Sequence, residues 1–211
     1  MFEARADAGA RLADALAERE VDADLVLGIP RGALPVARPV ADRLDAPLDI
    51  VAAKKLGMPD NPEFAIGAAT SDGSVWLNET VIDRHGVDES YVEAERERAA
   101  ATARGKAETY RGDRPAPEVA GQRVVVVDDG VATGATARAC LRQVRNAGAE
   151  HVVLAAPVGP PSSVAELTDE ADGVVVLEEP ADFRAVGAYY RDFGQVPDEE
   201  ARAYLDWAGD S

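Results

Sequence analysis

Two kinds of apolar pattern alternate along the chain. Leu25 to Ile29, Leu48 to Ala53, Val124 to Val127, His151 to Pro157 and Gly173 to Leu177 are short, nearly unbroken apolar runs. Runs of that length, rich in β-branched residues, read as strands buried on both faces. Between them the apolar residues move to helical spacing, as with Ala8, Leu12, Ala15 and Leu16 within residues 3–19. Helices are also predicted over Leu34 to Leu44, Asp88 to about Tyr110, and Ala137 to Val144. Strands alternating with helices predict an α/β fold with a doubly wound, mainly parallel sheet flanked by helices. The five apolar runs make that sheet five-stranded.

Less regular stretches fill in the rest. After the second run, a Gly/Pro/Asn-rich loop extends to Phe64, and Ala65 to Ala69 with Val75 to Leu77 form a short ribbon around Ser71-Asp72-Gly73. Trp76 is a packing residue there, His85 falls in a linker, and His151 is structural at the start of its strand. Ser162 or Ser163 caps a short helix reaching about Thr168. A helix from Asp198 to Trp207 ends the chain. Residues 1–211 are expected to form one domain, with a mobile loop and ribbon over 54–78 and a hood-like C-terminal segment over 179–211.

The chemistry concentrates where the four valines end. Asp128 and Asp129 follow them at once, then Gly130-Val131-Ala132-Thr133-Gly134-Ala135-Thr136, then a helix. The first-turn amides of a helix have no intrahelical partners, and the helix dipole favours an anion there. Gly130 and Gly134 admit close backbone approach, and Thr133 and Thr136 add hydroxyl donors. No Gly-Lys-Ser/Thr follows, and the dinucleotide fingerprint is missing. A phosphate repels carboxylates, so Asp128 and Asp129 should face another part of the same ligand. Sugar hydroxyls donate hydrogen bonds, which points to a ribose 5-phosphate with free 2- and 3-hydroxyls.

This stretch resembles the 5-phosphoribosyl-1-pyrophosphate (PRPP) motif of type I phosphoribosyltransferases, and the resemblance extends over nearly the whole chain. It implies that Pro30, Arg31 and Gly32, a Gly-containing turn after the first strand, bind pyrophosphate, often through an unusual peptide geometry. It implies a mobile loop carrying Lys54 and Lys55 that closes over the pyrophosphate, with Lys55 favoured for contact. Phe183 is the candidate to stack on a base, as in the tail of purine phosphoribosyltransferases, with Asp192 near the base or the pyrophosphate. Catalytic roles fall on Asp128, Asp129, Arg31 and Lys55, and Mg²⁺ bridges pyrophosphate and ribose near Asp128 and Asp129. The implied activity is phosphoribosyl transfer from PRPP to a nucleobase or related nitrogen nucleophile. The alternative is a non-enzymatic sensor of PRPP or a nucleotide. Related enzymes are often dimers.

Charge narrows the partners. The formal net charge is −17, with 39 acidic against 22 basic residues, and Lys54, Lys55 and Lys106 are the only lysines. A surface so acidic does not suit nucleic acid, whose phosphates need a basic patch. It fits a protein kept soluble in strong salt, where self-repulsion is screened. Cys140 is the only cysteine, which excludes an internal disulfide and a thiolate metal cluster. No apolar run approaches bilayer-spanning length and no signal-peptide pattern opens the chain, so a soluble, cytoplasmic protein without membrane contact is expected.

Overall fold

A computed structural model describes residues 1–205. Helix α1 (Arg5–Glu18) leads into strand β1 (Leu25–Gly28), helix α2 (Leu34–Leu44) and strand β2 (Leu48–Ile50). Strands β3 (Ala53–Met58), β4 (Asn61–Thr70) and β5 (Val75–Leu77) follow, then helices α3 (Glu79–His85) and α4 (Glu89–Arg111). Strand β6 (Arg123–Val127), helix α5 (Ala135–Asn146), strand β7 (His151–Val158), helix α6 (Pro161–Leu167) and strand β8 (Gly173–Glu178) restore the alternation. A 3-10 turn (Val186–Tyr189) and helix α7 (Asp198–Tyr204) come last.

The main sheet is five-stranded in the order β2-β1-β6-β7-β8, and every pairing in it is parallel. Strand β6 is central: Val125 pairs with Val26 on one side and Val153 on the other. Its valines alternate between the two faces of the pleat. Val124 and Val126 pack with Leu141 of α5 and Leu154. Val125 and Val127 pack with Leu12 of α1 and Leu34 and Val36 of α2. A strand covered on both faces must be apolar throughout, which is why this one reads as an unbroken valine run.

The segment after β2 departs from the expected loop. The main-sheet strand stops at Ile50, and Ala53 opens a separate antiparallel sheet of three strands, β3-β4-β5. Lys54 and Lys55 therefore lie inside β3, opposite Ala69 and Ala68. The Gly and Pro that read as loop residues shape an irregular hairpin. Its register shifts on both sides of Gly57, where a Cβ would lie 2.5 Å from the Pro62 carbonyl oxygen. Leu56, Ile66 and Ala69 pack against Val92, Ala99 and Ala100 of α4. Ala53, Ala68 and buried Trp76 join the α5 side of the main core, and the Arg138 guanidinium lies 4.6 Å from the Trp76 ring centre.

Three smaller expectations also change. His85 is the last residue of α3 rather than part of a linker, with Gly86 closing the helix in the left-handed region (φ 60°). Neither Ser162 nor Ser163 caps α6, which begins behind Pro160. The Ser163 hydroxyl donates instead to the Ala132 carbonyl (2.7 Å). The last helix is described only to Tyr204, and Trp207 lies outside the described residues. Among the described residues no helix is long and apolar enough to cross a membrane.

Candidate active site

At the carboxyl ends of β1 and β6 the chain encloses a cavity of about 430 Å³. Parallel sheets place their ligand sites there, because successive strands deliver their loops to that edge. Pro30, Arg31 and Gly32 line one side, and Asp128 to Thr136 line the floor and the opposite side. Lys55 reaches in from β3, while Lys54 does not line the cavity. The peptide bond between Pro30 and Arg31 is cis, in the turn where the resemblance implied an unusual peptide geometry.

The acidic corner is held by the main chain. The Asp128 amide donates to the Ala155 carbonyl (3.1 Å) and the Val131 amide to the Val158 carbonyl (2.8 Å). The Asp128 side chain accepts from the Asp129 amide (2.9 Å). Gly134 has φ +75° at the entry to α5, a conformation that suits glycine and turns the loop into the helix. Gly32 is required by proximity, since a Cβ there would lie 2.2 Å from Asp129 Oδ2. The two loops thus touch through the carboxylate itself.

Asp129 has a partner that the sequence did not suggest. Arg5 Nε of α1 donates to Asp129 Oδ2 (2.8 Å), both side chains being largely buried, and Arg5 also donates to the Gly194 carbonyl (2.8 Å). The Arg5 guanidinium lies over the Phe193 ring, 3.8 Å from its centre. The Tyr190 hydroxyl donates to the Asp129 carbonyl (2.6 Å), so the C-terminal segment is tied to the same corner. A signal for Arg5 was absent from the sequence, because a polar residue in the first turn of an amphipathic helix reads as solvent-exposed.

Electrostatics follows from this enclosure. Burial pushes the Asp128 carboxyl up to about 8, and the neighbouring Asp129 charge adds to the rise while Lys55 opposes it. Burial also raises Asp129, against the hydrogen bond and charge of Arg5. Asp128 is therefore the acid of the pair without an arginine partner, ready to accept a proton, a cation or a hydroxyl donor. Across the floor, Thr133, Thr136 and the first turn of α5 line the same space. One cavity thus joins a carboxylate pair, a helix N-terminus and a lysine.

Two candidates lie elsewhere. Phe183 does not line this cavity: its ring stacks on Tyr189 (5.5 Å between centres, 14° between planes). Asp192 also sits outside, where its carboxylate accepts from the Gly194 amide (3.1 Å) and closes a local turn. From the C-terminal segment it is Val186, Phe193, Gln195 and Val196 that line the cavity. Arg31 borders the cavity but donates to Asp198 Oδ1 of α7 (3.2 Å).

Comparison with known proteins agrees with this architecture. The family model described as the phosphoribosyl transferase domain matches residues 3–192. A Mycobacterium tuberculosis protein, named only provisionally as a phosphoribosyl transferase, is 44% identical over 208 residues, 99% of this chain. The chain spans about half that relative's length (47%). The crystal structure of TT1426 from Thermus thermophilus is 47% identical with a TM-score of 0.83, covering 99% of this chain and 100% of that one. A Neisseria gonorrhoeae hypothetical protein crystallised with ppGpp shares the fold at 14% identity (TM-score 0.51, 97% of each chain). With a doubly wound parallel sheet, an acidic corner feeding a helix N-terminus, and a family match over most of its length, the chain belongs to the phosphoribosyl transferase domain family.

Proposed function

We propose that this cavity binds PRPP and transfers its phosphoribosyl group to a nucleobase or related nitrogen nucleophile, releasing pyrophosphate. The carrying observation is the confluence of Asp128, Asp129 and the Thr133–Thr136 helix entry on one 430 Å³ space. The 5-phosphate sits on the α5 amides and the two threonine hydroxyls. Asp128 and the free oxygen of Asp129 accept from the ribose 2- and 3-hydroxyls. The anomeric carbon–oxygen bond breaks towards pyrophosphate, and a carbon–nitrogen bond forms with the acceptor. Positive charge on the sugar is stabilised by the acidic pair, and Lys55 and Arg31 neutralise the leaving group. Val186, Phe193 and Val196 offer an apolar wall to a flat ring; a purine is the favoured acceptor.

Mg²⁺ suits the donor set. Carboxylate oxygens are hard ligands, and among the described residues Asp128 has no ion pair like the one that Arg5 gives Asp129. Among the described residues no three acidic, His or Cys side chains converge to hold a metal by themselves, so the ion belongs with the diphosphate of the ligand, near Asp128 and Asp129. When bound it supplies Lewis-acid neutralisation of the leaving pyrophosphate.

A second reading is a PRPP-binding regulator without turnover. One feature favours it: Arg5 already neutralises Asp129, leaving less negative field for a cationic sugar. Calorimetric titration with PRPP, with and without Mg²⁺, followed by a base panel assayed for pyrophosphate release, separates the two. Mg²⁺-dependent binding with release in the presence of one base supports transfer. Binding without release supports the regulator, and no binding in either condition removes both.

A further inference from the structure

Arg138, Arg142 and Arg145 follow one another at i, i+4 and i+7, so they form a stripe on one face of α5. Arg142 donates through Nε and Nη2 to the Glu170 carboxylate (3.1 and 2.8 Å) and through Nη1 to the Val75 carbonyl of β5 (3.2 Å). Arg145 donates to Asp172 (3.0 Å) and to the Glu170 carbonyl (2.8 Å). Both of these side chains are partly in water. Arg138, at the loop end of the stripe, is not. Among the described residues it is the one buried cation. Its guanidinium lies over the Trp76 ring of β5, 4.6 Å from the centre, and Nη2 donates to Glu166 of α6. Glu166 is 63% exposed. Water therefore screens the counter-charge, while the cation itself lies inside. Arg138 Nε is buried as well and has no acceptor among the described residues.

The place of that nitrogen is set by Gly134. A Cβ on Gly134 would lie 3.5 Å from Arg138 Nε and 3.5 Å from the Leu167 side chain. The Arg138 amide also donates to the Gly134 carbonyl (2.9 Å), so main chain and side chain both back on to the same glycine. Gly134 is the left-handed residue (φ +75°) that turns the loop into α5. The amides of Ala135, Thr136 and Ala137 precede that first helical bond and are left to a ligand. These three residues and Gly134 line the candidate active site, whereas Arg138 does not. A guanidinium buried behind a loop, with its partner out in water, is costly unless further negative charge comes near. We propose that Arg138 is a positioning residue for this loop: it fixes the entry to α5 from behind Gly134 and sets a weakly screened positive charge under an anion seated on the first-turn amides, without touching it. The inference rests on the reading above that this loop takes the 5-phosphate of a ribose.

The test uses the full chain and ribose 5-phosphate, titrated calorimetrically and followed by phosphorus NMR. The wild type should bind it and hold the second pKa of its phosphate below that of the free compound, because a nearby cation favours the dianion. Arg138→Met should weaken binding roughly tenfold, the scale of one charge acting across several ångströms of protein. It should also move the pKa of the bound phosphate back towards the free value. Arg138→Lys keeps the charge and should recover most of both. Glu166→Gln, at the wet end of the pair, should change the affinity by less than about twofold. Melting curves identify the folded variants, and Arg138→Gln replaces the methionine variant if that one does not fold. A folded Arg138→Met or Arg138→Gln with wild-type affinity and wild-type bound pKa overturns the inference and leaves the phosphate loop standing. So does a bound phosphate whose pKa is not lowered in the wild type, a result that needs no variant. Weaker binding that Arg138→Lys does not recover, with the bound pKa unchanged, assigns Arg138 to packing alone and overturns it too. A wild type that binds neither ribose 5-phosphate nor PRPP removes the transferase and this inference together. The expected charge effect in a chain that releases no pyrophosphate with any base supports the inference and removes only the transfer.

Discussion

The two acids at the end of β6 are unequal, and their replacement separates stability from binding. Asp128 holds its proton more tightly in the folded chain than the ordinary value of 3.8. It opposes folding little below about pH 4, and the cost of ionising it in place grows until about pH 8. Asp128→Asn should therefore melt above the wild type at pH 8, by on the order of 1 kcal/mol or about 2–4 °C, and the gain should vanish near pH 4. The same change should abolish pyrophosphate release in the base-panel assay. Arg5→Met has the opposite character. It strands the Asp129 carboxylate, and a loss of about 1–3 kcal/mol in chemical denaturation is expected at pH 7. The acids were legible because a two-face-buried valine run can end only at a sheet edge. Arg5 was not, since its partner is 124 positions away, and helical periodicity says which face is wet without saying what lies across the water. Phe193 was similarly hidden behind Phe183: both are aromatics in the tail, and only the turn at Val186–Tyr189 decides which one reaches the cavity.

At the level of elements, the hairpin of β3 and β4 is the least predictable part and the one whose attachment can be tested. The Tyr91 hydroxyl of α4 donates to the Gly57 carbonyl (3.0 Å), fastening the irregular bend to the long helix. Tyr91→Phe should cost about 1 kcal/mol locally and speed amide exchange over residues 53–70 while the main sheet is unaffected. Gly57→Ala should be more damaging, because its methyl would meet the Pro62 backbone. The hairpin escaped sequence reading because strand alternation breaks where the register shifts, and Gly and Pro normally punctuate loops. The turn into α5 was easier, since a glycine one residue before a helix has a limited repertoire. Gly134→Ala, at φ +75°, should lose about 1–2 kcal/mol and weaken ribose 5-phosphate, read by melting and by titration.

Over the whole molecule, charge is the strongest influence that packing does not decide. Many arginines are engaged in exposed pairs such as Arg123 with Asp22 and Asp24, which solvent screens strongly. The excess of 17 negative charges is spread over the remaining surface. Raising salt weakens the pairs a little and the long-range repulsion more, so the melting temperature should climb from about 0.1 M to molar salt. A flat profile would reject adaptation to strong salt. The alternation of strands and helices that set the fold was readable because burial imposes it directly. Which of Lys54 and Lys55 lines the cavity was not, because it depends on which side of one short strand each lysine leaves. Strand β6, bonded on both edges and covered on both faces, has a mechanical consequence for all of this. Its amides can exchange only when the molecule opens globally, so Asp128 and Asp129 stand on the slowest-yielding part of the frame. Whatever bends around a visiting ligand, the acids are the fixed datum, and fit must come from the surroundings adjusting to them.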